Sequence, residues 1–162
     1  MNIEPLNKET LEDSINLLYD SFQHKLDHLI IQGGLRCSMH KDKIFSRILL
    51  RTYGVIDLEY YITKSEDDKV VGITGLYSRR KDSNEALWLG WFAVHPNYRK
   101  KGIGNKLLQF SIDEAKKRGK KYLRLYTSTA KSEQDSHNLY EKVGFKKIKE
   151  EGNILYYELK LN

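Results

Sequence analysis

The run Ala86–Val94, ALWLGWFAV, constrains this chain more than any other segment. It holds nine residues without a charge and does not alternate apolar with polar, so both of its faces must be covered, as in the central strand of a sheet. Gly90 interrupts it, and it is far shorter than the ~20 residues that span a bilayer. A basic loop comes next, Arg99-Lys100-Lys101, and then Gly102-x-Gly104 opens a helix over residues 101–118. That helix carries Ile103, Leu107, Leu108, Ser111 and Ala115 on one side, and Gly119 stops it.

The remaining pattern predicts one α/β domain over residues 1–162, with a mixed, mostly antiparallel central sheet flanked by helices. The length and a hydrophobic share of 40% suit one domain with one core. An extended start at residues 2–6 leads to a helix with Leu11, Ile15, Leu18 and Phe22 on one face, which Asn7 caps. Gly33-Gly34 breaks the chain after that helix. A second helix spans residues 40–51 and ends at Gly54. Strands at 56–63 and 70–79 are joined by the polar turn 65–69. After a strand at 122–127, the pattern Ser132-x-x-Asp135 opens a helix that runs to Val143 and stops at Gly144. Strands 145–149 and 154–161 close the chain as a hairpin.

Charge and cysteine narrow the function classes. Lys and Arg number 28 against 22 Asp and Glu, a net charge of +6. The excess sits in residues 99–121, which hold nine basic and two acidic residues, while the rest of the chain is close to neutral. No aromatic platform is interleaved there, which argues against a nucleic-acid partner. The cations from Lys116 onward read as a solvated helix end. Cys37 is the single cysteine, so no internal disulfide forms, and MNIEPLNKET has no secretory pattern; the expectation is a cytoplasmic protein with no membrane partner.

A strand that ends at Val94, a basic loop and a glycine-bearing helix start make a site for a pyrophosphate. The first N–H groups of a helix lack intrahelical acceptors and carry the positive end of its dipole. Glycine lets a ligand approach them without a Cβ in the way. The stretch lacks the Gly-Lys-Ser/Thr of a nucleotide loop and the third glycine of a dinucleotide fold, so ATP and NAD are poorly supported.

At these residues the sequence resembles the GNAT N-acetyltransferase superfamily. That family's pyrophosphate loop, Arg/Gln-x-x-Gly-x-Gly/Ala, is matched by Arg99-x-x-Gly102-x-Gly104, and its later helix by Leu139-Tyr140-Glu141-Lys142-Val143-Gly144-Phe145. The resemblance covers nearly the whole chain. It implies an enzyme that moves the acetyl group of acetyl-CoA to a primary amine, on a small molecule or peptide, by direct attack in a ternary complex. A non-catalytic acyl-CoA sensor on the same fold is the alternative.

The resemblance also assigns residues. The backbone of Phe92, Ala93 and Val94 would pair with the pantetheine arm, and Arg99, Lys100, Lys101, Gly102, Ile103, Gly104 and Asn105 would hold the pyrophosphate. Tyr140 would protonate the departing thiolate, since a phenol keeps its proton at neutral pH. A free amine is mostly protonated at pH 7 and needs a base. The strand positions that carry a carboxylate in such relatives hold Trp88 and Gly90, which leaves Glu85 as the nearest carboxylate in sequence. No metal is expected: His24 and His28 have a ligand spacing but no third ligand nearby. Partners are acetyl-CoA and an amine acceptor, with room for a homodimer. His137, one turn before Tyr140, is weighed as a cleft residue against a solvent-facing one. Glu133 stands where many relatives have Asn, and is not assigned to the coenzyme.

Overall fold

The computed structural model describes residues 2–22, 28–40 and 42–162. The described elements run in the order β1 (Ile3–Pro5), α1 (Leu11–Ser21), α2 (His28–Met39), α3 (Ile44–Thr52), β2 (Val55–Lys64), β3 (Val70–Arg79), β4 (Ala86–Val94), α4 (Ile103–Lys117), β5 (Tyr122–Ser128), α5 (Gln134–Val143), β6 (Lys146–Glu151) and β7 (Ile154–Lys160). The strands form one sheet in the order β1-β2-β3-β4-β5-β7-β6. The β4–β5 pair is parallel and every other neighbouring pair is antiparallel. This is the α/β architecture with a mixed sheet that the sequence predicts.

Two cores explain the unbroken apolar run in β4. On one face of the sheet Ile15, Leu18, Ile31, Leu35, Ile62, Ile73 and Ala93 pack together. On the other, Leu76, Leu87, Leu89, Leu108, Leu123 and Leu125 pack with α4 and α5. Leu87, Leu89 and Ala93 thus serve opposite layers, which leaves no polar face for β4 to show. A buried pair of hydroxyls, Thr74 Oγ1 and Ser111 Oγ at 2.8 Å, ties β3 to α4.

Gly33 and Gly34 correct an expectation. They do not break the chain; both lie inside α2. The reason is a contact far away in sequence. A Cβ built on Gly34 would stand 2.8 Å from Cη2 of Trp91, so glycine lets the helix ride directly on that ring. The second helix also differs, since α2 continues to Met39 and α3 begins only at Ile44. Asn7 acts ahead of α1: its Oδ1 accepts from the N–H groups of Glu9 and Thr10, while Thr10 occupies the cap position. Gln134 begins α5, after a 3-10 turn at Lys131–Glu133, so Glu133 takes the cap position expected for Ser132; the Ser132 side chain lies outside the described ones.

The basic end of α4 is not simply solvated. Arg118 pairs with Glu59 on β2 at 2.5 Å and donates to the Tyr61 hydroxyl at 3.1 Å. Burial, with the Glu59 carboxylate beside it, pushes the Tyr61 phenol up to about 12. Lys120 donates to the Ser83 carbonyl. Part of the positive charge therefore fastens the helix end to the sheet. No described helix is long and apolar enough to cross a membrane.

The two adjacent glycines should respond oppositely to the same change. A Cβ at Gly33 meets nothing within 4 Å, so Gly33→Ala should stabilise the helix by ~0.5–1 kcal/mol. At Gly34 the Trp91 ring would have to move, yet it is stacked on Tyr60 with centroids 5.7 Å apart. Gly34→Ala should cost ~1–3 kcal/mol. Urea midpoints of the two variants test this.

Candidate active site

The parallel pairing of β4 with β5 lasts for three residues, Ala86↔Tyr122, Leu87↔Leu123 and Trp88↔Arg124. Beyond that, β4 stays on β3 as far as Gly72↔Val94, and β5 stays on β7 as far as Ser128↔Ile154. The two strands therefore diverge into a V from Leu89 onward. At its closed end Arg124 contacts Asp82 at 2.9 Å, Glu85 at 3.0 Å and Glu158 at 2.8 Å. Trp88 Nε1 donates to the same Asp82 at 3.0 Å.

A bulge bends β4 where the V opens. Thr74 faces Phe92 and Leu76 faces Leu89, so Gly90 and Trp91 together oppose the single residue Gly75. Gly75 has a specific role there. Its Cβ would lie 2.3 Å from Tyr60 Cε1, so only glycine lets the Tyr60 ring cross the strand. The Tyr60 hydroxyl consequently reaches the bulge, 3.3 Å from where a Gly90 Cβ would be. Burial drives the Tyr60 phenol far above its ordinary range.

Past Val94 the chain turns through a 3-10 segment, Pro96–Tyr98, with His95 accepting from the Asn97 N–H. Arg99 Nε reaches back to the Val94 carbonyl at 3.1 Å. Lys100 and Gly102 both adopt left-handed backbone, φ 60° and 81°. For lysine that costs ~1–2 kcal/mol. The first intrahelical bond of α4 is Lys106 N–H to the Gly102 carbonyl. The N–H groups of Ile103, Gly104 and Asn105 precede it and have no intrahelical acceptor. A Gly104 Cβ would stand 3.4 Å from Leu139 and 3.8 Å from Val94, so the helix tip sits close to both α5 and β4. Arg99, Lys100, Lys101, Gly102 and Asn105 are exposed around it.

A cleft of about 1130 Å³ joins these parts. Of the sequence-assigned residues, Phe92, Ala93, Val94, Arg99, Lys100, Gly102, Gly104, Asn105 and Tyr140 line it. Lys101 and Ile103 do not: Ile103 is half-buried at the helix start, and Lys101 extends beside the Tyr98 ring. Tyr140 is buried among Phe92, Phe145 and Tyr157, with ring centroids 5.8–6.2 Å away. Burial, helped by the nearby Glu133 charge, raises its phenol well above 10, so it remains a proton donor across the physiological range.

Glu85 lies away from the cleft. It precedes the paired residues of β4, at the closed end of the V, and does not line the cleft. Its carboxylate is engaged by Arg124. His137 is buried rather than solvent-facing, and also stays out of the cleft lining. Its Nε2 lies 2.9 Å from the Ser128 carbonyl, which pins α5 to β5. His28 packs edge-on to Tyr19, and His24 lies outside the described residues. Among the described residues no three His, Cys, Asp or Glu side chains group so that they could hold a metal ion.

Two features were given no role from the sequence. Glu133 lines the cleft and brackets the end of β5. It accepts from the Ser128 N–H at 3.0 Å, the Ser128 hydroxyl at 2.7 Å and the Thr127 hydroxyl. A carboxylate in place of the amide common in relatives was the available signal. The second feature is the far half of the cleft, where Tyr60, Tyr77, Arg79, Trp91 and Tyr126 converge from four strands. The Arg79 guanidinium lies 4.4 Å over the Trp88 ring and within 6 Å of the Tyr77 and Tyr126 rings. That half belongs to the α2 face of the sheet, whereas the glycine loop belongs to the α4 face. The cleft thus passes through the sheet at the V.

Comparison with known proteins points the same way. A family model for the acetyltransferase (GNAT) family matches residues 35–145. The Xenopus tropicalis protein named "Probable N-acetyltransferase camello" is 41% identical over 85 residues, 52% of this chain and 37% of that protein. The chain therefore spans little more than a third of that relative's length. Among solved structures, the PaiA N-acetyltransferase of Thermoplasma acidophilum in complex with coenzyme A superposes with a TM-score of 0.67 at 24% identity, over 99% of both chains. An aminoglycoside 6'-N-acetyltransferase complexed with coenzyme A superposes with a TM-score of 0.74 at 15% identity, over 100% of this chain and 98% of that one. At these identities the likeness to the solved structures is one of fold.

The Glu133 bracket makes its own prediction. Glu133→Ala removes every acceptor that holds the Ser128 N–H and the two hydroxyls, and should cost ~1–3 kcal/mol. Glu133→Gln keeps one acceptor oxygen and should lose less. Urea denaturation of both variants measures the difference.

Proposed function

The chain belongs to the GNAT acetyltransferase family, and from that premise we propose that it transfers the acetyl group of acetyl-CoA directly to a primary amine. The observation that carries the reading is the V between β4 and β5, whose open side ends on the unpaired N–H groups at the α4 tip. A pyrophosphate fits there on grounds of this structure alone. The left-handed Gly102 turns the backbone amides outward, Gly104 keeps the tip free of a Cβ, and Arg99 and Lys100 border the same cleft.

In this reading Arg99 and Lys100, with the backbone of residues 100–105, hold the coenzyme's phosphates. The free edge of β4 at Phe92–Val94 lies along the pantetheine arm. Acetyl-CoA supplies a thioester whose acyl carbon forms the new C–N bond as the C–S bond breaks, the electron pair leaving with sulfur. A β4 backbone N–H in the V polarises the thioester carbonyl. Tyr140 gives its phenolic proton to the departing thiolate and regains one from solvent. No described carboxylate lines the far half of the cleft, so the amine releases its proton to solvent. Holding amine and thioester in line supplies much of the rate.

The experiment is release of free thiol from acetyl-CoA against an amine panel, with coenzyme A binding measured separately. Turnover with at least one amine is expected. Tyr140→Phe should retain coenzyme A binding and lower kcat by ~10²-fold, the low end for general acid catalysis, because a thiolate leaves readily. The sensor reading draws on Trp88 and Gly90 standing where relatives place a carboxylate. It requires coenzyme A binding with no thiol release from any amine, and no effect of Tyr140→Phe on binding.

A further inference from the structure

The far half of the cleft has a chemical character of its own. Its described lining is aromatic and aliphatic, and Arg79 is its one formal charge; the carboxylates Glu133 and Asp135 and the cations Arg99 and Lys100 sit at the coenzyme side. Such a wall disfavours an acceptor with several positive charges, since each would be desolvated without an anion to meet it.

Arg79 differs from its neighbour Arg124 in one decisive way. Arg124 is surrounded by Asp82, Glu85 and Glu158. Among the described residues no carboxylate pairs with Arg79, which is held instead by ring contacts with Trp88, Tyr77 and Tyr126 and by a hydrogen bond to the Tyr77 hydroxyl. A guanidinium stacked on a ring keeps its remaining edge N–H groups available, and a pair of them matches a carboxylate in two parallel hydrogen bonds. Its position suits a substrate group. Extending the parallel register of β4 and β5 places Gly90 level with Tyr126, and Arg79 lies 5.9 Å from the Tyr126 ring. The guanidinium therefore reaches from the Trp88 ring, where β4 and β5 still pair, toward Tyr126 at the opening of the V.

The rim above it is apolar. Ile30 and Tyr53 line the cleft while 61% and 75% exposed, so the protein leaves apolar surface there that a ligand would cover.

We propose that the acceptor is an amine with an apolar or aromatic body that carries a carboxylate near the amine, as an apolar amino acid does, and that Arg79 binds this carboxylate. The proposal rests on the acetyl-transfer reading above. The amine attacks from the α2 face, its carboxylate on the guanidinium and its side chain among Tyr60, Tyr77 and the rim.

The test compares four acceptors at saturating acetyl-CoA: phenylalanine, phenylalaninamide, phenethylamine and spermidine. Wild type should favour phenylalanine over its amide in kcat/KM, although the amide has the less basic amine and is ahead on ionisation alone. Arg79→Met should lower that acid-to-amide ratio by about ten- to a hundredfold, the range for losing a hydrogen bond to a charged group. Arg79→Lys should keep part of it. Because the ratio is taken within one variant, a general loss of folded enzyme does not move it. A preference for the amide or for spermidine, or a ratio unchanged in both variants, overturns the proposal while leaving acetyl transfer standing. No thiol release with any of the four, nor with a wider amine panel, overturns both.

Discussion

Arg124 holds the closed end of the V, and the site exists because that hold is short. Burial alone would lower the guanidinium's pKa; the Glu158, Asp82 and Glu85 carboxylates outweigh it and raise it. The group therefore stays charged in a place only 17% exposed. Its three partners come from the loop before β4 and from β7, so one side chain on β5 gathers segments from both sides of the parallel pair. Beyond Trp88 nothing comparable joins β4 to β5 among the described residues. Bulge, glycine crossing and helix tip then act on strands that are already parting.

Each half of the resulting cleft uses a different kind of chemistry. The α4 side offers backbone N–H groups and cations in an exposed loop, with conformations that favour glycine. Such groups tolerate a flexible, heavily charged ligand. The opposite side offers rings held against one another and a lone guanidinium. Rings have few rotamers to lose, so they select by shape at low entropic cost. Tyr60 belongs to this rigid set, since Gly75 beneath it and Trp91 beside it leave the ring little freedom.

What the sequence made legible was whatever is local in the chain. The loop from Arg99 to Asn105 is contiguous, so its glycines and cations could be read together, and β4 announced itself by lacking a polar face. The misreadings share the opposite cause. Gly33-Gly34 looked like a break because the Trp91 ring that requires one of these glycines lies almost sixty residues later. Glu85 is near β4 in sequence, and the parallel pairing that begins at Ala86 puts it at the closed end of the V. The aromatic half of the cleft drew on β2, β3, β4 and β5 at once, and no spacing rule links Tyr60, Arg79 and Tyr126. Glu133 was visible as an unusual residue, but its partners on β5 were not.

In the proposed reaction, a passage through the sheet also gives the two reactants separate doors. A blind pocket must fill and empty in a fixed sequence, because whatever enters last blocks the molecule beneath. Here the nucleotide end would rest on the α4 side, while the far half opens toward α2 and α3. Neither occupant lies across the other's exit, so the departure of one product leaves the other's route clear. The few residues at the throat, with Gly90 among them, are then the only place where the two ligands meet.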